Sequence, residues 1–560
     1  VKRGAGRRFA WCAGLAVASV LAAQQVWVSA SNFHGADEWL GIELASRGVV
    51  SVPYANRPLV FLWLAAAQHA WPDDLAAYWA FTSLAFLATG LLTAWLAIRI
   101  LPRAPMLALL AGVFAVAWAP LDWLRLDTTL IAGYAGFTAG TLLALALLVE
   151  SWLRQSRALL LCSGALALSC ALGVESVIPL LAAGPLLVLA TQRRRATTAT
   201  RARLVSWLST WSGFVVLCAL FAAAPALAGL PSYQTGALRL DLAPQRVLWR
   251  LVRLLGMQAL PLVTSAPREL AHPAVPVAVL GLALGVALAW RAAPRASRGR
   301  RGRDSALALG LGLALAAAAH LGLALTASLR DPGRSQLLSA PGFGLCLAAS
   351  VNWVGTTLAA ALARFGGARA GRSQTFARGA VLLIAAWTVA VGTGRVVAMQ
   401  GEWDAERNAY PSQRRALADL VRQAPALRPN TLVILLNGSD AAFPLSFTFR
   451  HAVALLYPGQ AIGLVADGEP FAYPWARTPE GVAVVPWPVI RGPWGVRPTL
   501  HRWDEIVVAR AGPGGALEVC EEWPAERLGP LPAGALYRPD SRVVSAAAAP
   551  PSRRLLRRLR

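Results

Sequence analysis

Through the first 400 residues, apolar stretches of about twenty residues alternate with short polar ones, the length at which a helix crosses the hydrocarbon of a bilayer. This pattern predicts about eleven spanning helices, at roughly 9–30, 75–99, 104–120, 128–150, 158–174, 176–191, 204–226, 274–290, 305–327, 337–362 and 379–399. The first follows KRGAGRR; its apolar run is longer than that of a signal peptide and no small-residue cleavage site follows, so it reads as a retained span. Beyond about residue 400 the apolar runs shorten. TLVILLNG and AIGLVADG read as strands, LSFTFRHAVALLY between them as a helix, and WDEIVVARAGPGGALEVCEEW as a hairpin with a Gly-rich turn. The expected fold is an α-helical polytopic membrane protein over residues 1–400 with a small α/β domain at 401–540. Residues 541–560 read as an Ala/Pro linker and a basic tail.

Composition agrees with this division. The 560-residue chain is 56% hydrophobic and 14% charged, with a mean hydropathy of +0.51, which excludes an ordinary soluble protein. A net charge of +25 suggests nucleic acid at first sight, but the arginines cluster in short loops, as the positive-inside rule requires. With the N-terminus in the cytoplasm, the inner loops hold Arg99 and Arg103, Arg154 and Arg157, then RRRATTATRAR, RAAPRASRGRRGR and RFGGARAGRSQTFAR. Residues 31–74, 227–273 and everything after about 400 then fall on the outer face, so no nucleic-acid partner is expected and membrane lipids are. Cys12, Cys162, Cys170, Cys218 and Cys346 lie in apolar runs as small buried hydrophobes, and Cys520 stands apart, so no disulfide framework is expected.

Chemistry-bearing residues concentrate on the predicted outer face. HGADEW carries Asp37 and Glu38 where the chain has just left the membrane. One reading is the first turn of a helix over 36–47, capped by Ser31 or Asn32 and ended by Gly48, where acids favour the dipole. The other is a general base whose pKa is raised by the low dielectric nearby. A metal held by His34, Asp37 and Glu38 is a third reading, but no further ligands accompany them and no cofactor is expected. YANRPLVFLW is too short to span and reads as an interfacial helix, with Trp63, Trp71 and Tyr78 in an aromatic belt.

DWLRLDTTLIAGY sets Asp122, Arg125 and Asp127 in a tight outer turn, as a local ion pair or as part of a site. Glu175 in LGVESVIP is an acid flanked by apolar residues in another outer turn. In APQRVLWRLVRLLGMQ, Arg246, Arg250 and Arg253 share one face of an amphipathic helix. They either snorkel among headgroups or grip a lipid phosphate in bidentate fashion. Arg330 and Arg334 offer a second such group.

In this order and on one face, these stretches resemble the GT-C superfamily of polytopic glycosyltransferases, in the branch of protein O-mannosyltransferases and the lipid A aminoarabinose transferase. The family's acidic pair in the first outer loop is matched by Asp37-Glu38, its Pro-Pro-Leu-like segment by Arg57-Pro58-Leu59, and its Arg-x-Asp by Arg125-Leu126-Asp127. Arg334-Ser335 stands where an Arg-Tyr-like motif would. The chain departs from the pattern at Arg57 in place of Pro, at Ser335 in place of Tyr, and at Val174-Glu175 where Thr-Lys is usual.

The resemblance implies an enzyme of the cytoplasmic membrane that moves a sugar from a polyprenyl-phosphate donor to a lipid, glycan or protein acceptor on the outer face. It implies inversion at the anomeric carbon, with Asp37 as the base and Glu38 beside it. Arg246, Arg250, Arg253, Arg330 and Arg334 would meet the donor phosphate, Arg57 would be a further substrate-binding residue, and Arg125, Asp127 and Glu175 would orient the site or the acceptor. Two alternatives remain open on the sequence: a transporter or flippase for a lipid-linked or small solute, and a non-catalytic membrane-anchored binding protein.

Overall fold

The computed structural model describes residues 3–29, 37–46, 58–71, 75–118, 125–126, 130–192, 198–228, 241–265, 267–292, 301–326, 333–365, 370–407, 409–436, 442–443, 446–467, 473–486, 497–512 and 516–544. The helices of the first 400 residues run in order as α1 (Arg3–Gln25), α2 (Asp37–Ser46), α3 (Pro58–Ala70), α4 (Leu75–Ile100), α5 (Pro105–Ala117), α6 (Leu130–Arg154) and α7 (Arg157–Gly173). They continue as α8 (Ile178–Ala182), α9 (Gly184–Gln192), α10 (Thr198–Leu227), α11 (Pro244–Ala259), α12 (Pro261–Thr264), α13 (Pro267–Leu270), α14 (Ala274–Ala292), α15 (Arg301–Ala324), α16 (Gly333–Phe365) and α17 (Ala370–Glu402).

Among the described residues, nine helices are long and apolar enough to cross a membrane, and Phe9–Gln25, Pro105–Ala117 and Arg157–Gly173 are shorter apolar helices beside them. Every expected span falls on one of these. One of the nine, Pro244–Thr264, was expected as an amphipathic helix on the outer surface, and its flanks are placed by two contacts. Its approach at Asp241 hydrogen-bonds the carbonyl of Leu325, just past α15, while His272, just past α13, meets Trp27, just past α1, edge-on at 4.5 Å. The ends of α1, α5 and α15 are themselves linked through Gln24, Arg125 and Gln258, so this segment begins and finishes at one end of the bundle.

The bundle core is apolar and rich in alanine and glycine, which lets helix backbones approach closely. A Cβ on Gly342 of α16 would lie 2.5 Å from the backbone nitrogen of Ala316 and 2.7 Å from the carbonyl of Gly312, both on α15. Two expectations change at this level. Cys162 is exposed on α7 instead of buried. Tyr78 is fully buried, its hydroxyl donating to Gln68 at 3.1 Å, because α3 folds over the start of α4; it therefore does not join an outward-facing belt.

The C-terminal region is α/β. After α18 (Tyr410–Gln423) come β1 (Thr431–Leu436), α19 (Ser446–Leu456), β2 (Ala461–Val465), β3 (Trp475–Arg477), β4 (Gly481–Val484), β5 (Thr499–Arg502), β6 (Ile506–Ala511) and β7 (Leu517–Val519). One sheet has the order β2-β1-β6-β7, with β1 parallel to both β2 and β6 and β7 antiparallel at the edge. β3, β4 and β5 form a separate antiparallel sheet. β1 is buried along its whole length, as a central parallel strand must be. Val543 bridges to Leu427, so the chain remains packed on this region to that point.

Candidate functional site

The helix expected over 36–47 is α2, and it is built into the C-terminal region. Trp39 and Ile42 belong to the same apolar core as Leu417, Phe449 and Val507. Trp39 Nε1 donates to Gln413 Oε1 at 2.8 Å, and Glu43 faces His451 at 3.4 Å across α19. Trp39, Ile42, Glu43 and Ser46 recur at the helical spacing of one face, so that face is committed to the C-terminal region. Asp37 and Glu38 open the helix, while His34, Ser31, Asn32 and Gly48 lie outside the described residues.

A layer of buried polar side chains occupies the end of the bundle nearest α2. Arg125 is 2% exposed; its guanidinium donates to the Val116 carbonyl at the end of α5 (2.6 Å) and to Gln24 of α1, and it lies over the Phe86 ring, 4.9 Å from the centroid. Gln24 in turn donates to Thr393 of α17 at 3.2 Å. Two residues beyond Val116, Trp118 Nε1 donates to the Gln258 carbonyl at 2.9 Å. The Gln258 side-chain oxygen accepts from Ser339 at 2.9 Å and stands 3.2 Å from His320 Nε2. Six helices therefore meet through one connected set of polar groups: α1, α5, α11, α15, α16 and α17. A buried arginine in such a place needs partners for its charged donors, and both Nη atoms of Arg125 have them. Nearby, Arg395 of α17 bridges Glu269 (3.2 Å) and Glu402 (3.1 Å).

The expected residues distribute around this layer. Glu175 lies in a 3₁₀ turn after α7, beside the start of α6, where Gly173 packs on Phe137. Arg334 is in the first turn of α16, two residues before Gln336 and five before Ser339. Arg57, Asp122, Asp127 and Arg330 lie outside the described residues. Of the arginine row on α11, two members hold a partner that sequence spacing did not suggest. Asp241 accepts from Arg246 at both oxygens (2.6 and 2.8 Å) and from Arg250 at 2.6 Å. Arg250, 7% exposed, also donates to the Ala324 carbonyl at 3.1 Å. Arg246 and Arg250 hold the Asp241 carboxyl well below the usual carboxylate range, Arg246 most. Arg253 instead stands over Trp249, 5.4 Å from its centroid.

Gln24, Gln258, His320, Ser339 and Arg395 were not singled out in the sequence. For His320 a signal existed: an ionisable group inside LAAAAHLGLAL. At the opposite end of the bundle Glu150 pairs with Arg99 (3.2 Å) and Arg154 (2.5 Å). Between the two ends the described core holds buried hydroxyls such as Thr89, Thr141 and Thr388 but no Asp, Glu, Lys or Arg.

Fold and site together define a multi-pass membrane protein whose C-terminal α/β region packs against its first inter-helix segment. Among solved structures, the chain is similar to ArnT from Cupriavidus metallidurans bound to undecaprenyl phosphate, at 16% identity and a TM-score of 0.40, over 78% of this chain and 84% of that one. The apo form of that protein gives 15% identity and a TM-score of 0.38 over 80% and 88%. A likeness of that extent decides neither family nor chemistry. No family model and no curated protein matches the chain.

Proposed function

We propose that the protein transfers a sugar from a polyprenyl-phosphate donor to a hydroxyl-bearing acceptor at the outer face of the cytoplasmic membrane. The observation that carries this reading is the one-sidedness of its polar machinery. Arg125, Glu175, the Gln258–His320–Ser339 group and the openings of α2 and α16 share one end of the bundle, beside the C-terminal region. A solute pathway would need connected polar groups through the depth of the bundle, whereas the buried polar groups at mid-depth, among the described residues, are hydroxyls such as Thr89, Thr141 and Thr388 that donate within their own helices.

In this reading Asp37 accepts the proton of the acceptor hydroxyl, with Glu38 beside it. The acceptor oxygen bonds to the anomeric carbon while that carbon's bond to phosphate oxygen breaks. A single displacement inverts the centre, and polyprenyl phosphate departs with the bonding pair. General-base assistance of this kind is worth about 10²–10⁴ in rate. Arg253 and Arg334, with Arg57 and Arg330, would meet the phosphate as its charge develops. Arg246 and Arg250 would join them by exchanging part of their contact with Asp241. Asp127 and Glu175 would orient the acceptor, and Arg125 would fix the helix ends around the site.

The test is sugar transfer from radiolabelled polyprenyl-phosphate sugars by the purified, lipid-reconstituted protein. Loss of transfer in Asp37→Asn, with unchanged melting, supports the base assignment. A second reading, a membrane-anchored binding protein, draws on the packing of α2 into the C-terminal core. Consumption of no donor by the native protein would favour it.

A further inference from the structure

At 10 residues, α2 is too short to be stable as a helix by itself, so its place is set by what it packs on. Its apolar anchors, Trp39 and Ile42, join the core on the Val433 and Leu435 side of the main sheet. Apolar burial has no direction, so these two side chains alone would tolerate a turn or a slide of the helix.

A second contact on the same face does have direction. Glu43 is buried, and its carboxylate lies 3.4 Å from Nδ1 of His451 on α19. Nε2 of His451 lies 2.9 Å from the Tyr473 hydroxyl, and the two rings meet edge-on at 5.7 Å. A neutral imidazole fits both neighbours at once, with Nδ1–H donating to the carboxylate and Nε2 accepting from the hydroxyl. Tyr473 belongs to the core on the opposite side of the sheet, with Leu432, Ile434 and Val482. Arg450, the neighbour of His451 on α19, lies over the Tyr473 ring, 4.4 Å from its centroid. A buried carboxylate, imidazole and guanidinium cost desolvation that apolar side chains of the same size would not, and the best-attested use of such groups is to fix register.

Register matters here because of what begins the helix. Asp37 and Glu38 stand six and five positions before Glu43. At helical spacing those positions lie about 120° and 140° around the axis from Glu43, outside the face that the C-terminal region holds. A slip of α2 by one residue would carry both through about 100°.

We infer that His451 and Tyr473 are positioning residues. Through Glu43 they fix the rotation and register of α2, and with it where Asp37 and Glu38 stand. The consequence for catalysis rests on the transferase reading above, whereas the hold on α2 does not.

The test uses the full-length protein in lipid nanodiscs with two readouts. One is hydrogen exchange over residues 37–46, which needs no donor; the other is kcat and KM for transfer from polyprenyl-phosphate sugars. His451→Phe removes both bonds, so exchange over α2 should quicken about tenfold. Its kcat should fall by about the same factor at nearly unchanged KM. Tyr473→Phe removes one bond and should give a smaller change in the same direction. His451→Gln, whose amide can donate to Glu43 and accept from Tyr473, should recover most of both. Tyr457→Phe removes a hydroxyl bonded to the Ala424 carbonyl at 2.6 Å in the same region and should move neither.

Exchange over α2 at the native rate in His451→Phe and Tyr473→Phe overturns the inference. An equal quickening in Tyr457→Phe also overturns it, because the region would then be loosened in general. A quickened α2 with native kcat overturns the link to Asp37. If His451→Phe does not fold, Tyr473→Phe against Tyr457→Phe decides by the same comparison. If the native protein consumes no donor, the transferase reading falls, and the exchange rates still decide whether His451 and Tyr473 hold α2.

Discussion

Trp39 and Gln413, 374 residues apart, share a buried hydrogen bond of 2.8 Å that joins the first inter-helix segment to the C-terminal region. Gln413 uses its other side-chain atom to donate to the Ala442 carbonyl at 3.0 Å, so its amide is held from both sides. Trp39→Phe keeps most of the ring and removes the donor. The expected cost is about 1–3 kcal/mol, the penalty for a buried acceptor left open. Trp39→Ala should cost about 3–5 kcal/mol through the cavity it leaves. Denaturant midpoints in detergent, with protease susceptibility of the C-terminal region as a second readout, check both.

Asp241 gives a pH signature. Arg246 and then Arg250 depress its pKa below the ordinary value of about 4. A carboxyl depressed in the folded state contributes stability that is complete above its unfolded pKa and is lost as pH falls through the folded one. The native melting temperature should therefore decline below about pH 4, and in Asp241→Asn this component of the decline should be missing while the melting temperature at neutral pH is already lower. An identical acid profile in the two proteins would contradict the role assigned to Asp241.

Glycines divide by what surrounds them. Gly342→Ala drives a methyl into the backbone of α15 and should destabilise by about 1–3 kcal/mol. Gly310 has nothing within 4 Å of where a Cβ would stand, so Gly310→Ala should raise stability by about 0.5–1 kcal/mol. Thermal unfolding of the two variants beside the native protein measures the contrast.

Arg125→Lys separates charge from geometry. An ammonium cannot span the Val116 carbonyl and Gln24 as the planar guanidinium does. Transfer rates normalised to folded protein should fall about 10–100-fold, the equivalent of one or two charge-assisted hydrogen bonds. A fall no larger than the loss of folded protein would mean that Arg125 only braces the bundle.

The spans were legible because bilayer thickness fixes their length, and α11 was legible as an amphipathic helix because its arginines recur at helical spacing. The strands β1, β2 and β6 could also be read from their short apolar runs, and the helix α19 from the longer mixed stretch between the first two. β3, β4 and β5 are three or four residues long, too short for periodicity to register. Asp241 escaped because its partners lie five and nine residues on, and the first of those intervals is not a helical repeat. Gln258, His320 and Ser339 are brought together by packing across helices, which no local pattern encodes. The acidic pair was readable as the start of a helix; that the helix belongs to the C-terminal core was not, because Trp39 looks like any interfacial tryptophan.

The docking of α2 also sets a schedule for the newborn chain. Gln413 emerges from the ribosome 374 residues after Trp39, a wait of roughly 20–75 s at ordinary synthesis rates of about 5–20 residues per second. For all that time the short helix that will complete the C-terminal core can pack only on α3 and the bundle, with its Trp39 face uncovered. Its indole and isoleucine must stay out of aggregates until the last quarter of the protein is made. Maturation of this protein is therefore gated by the arrival of its own C-terminus, and a chain truncated before α18 would carry an orphan first segment however well its membrane helices had inserted.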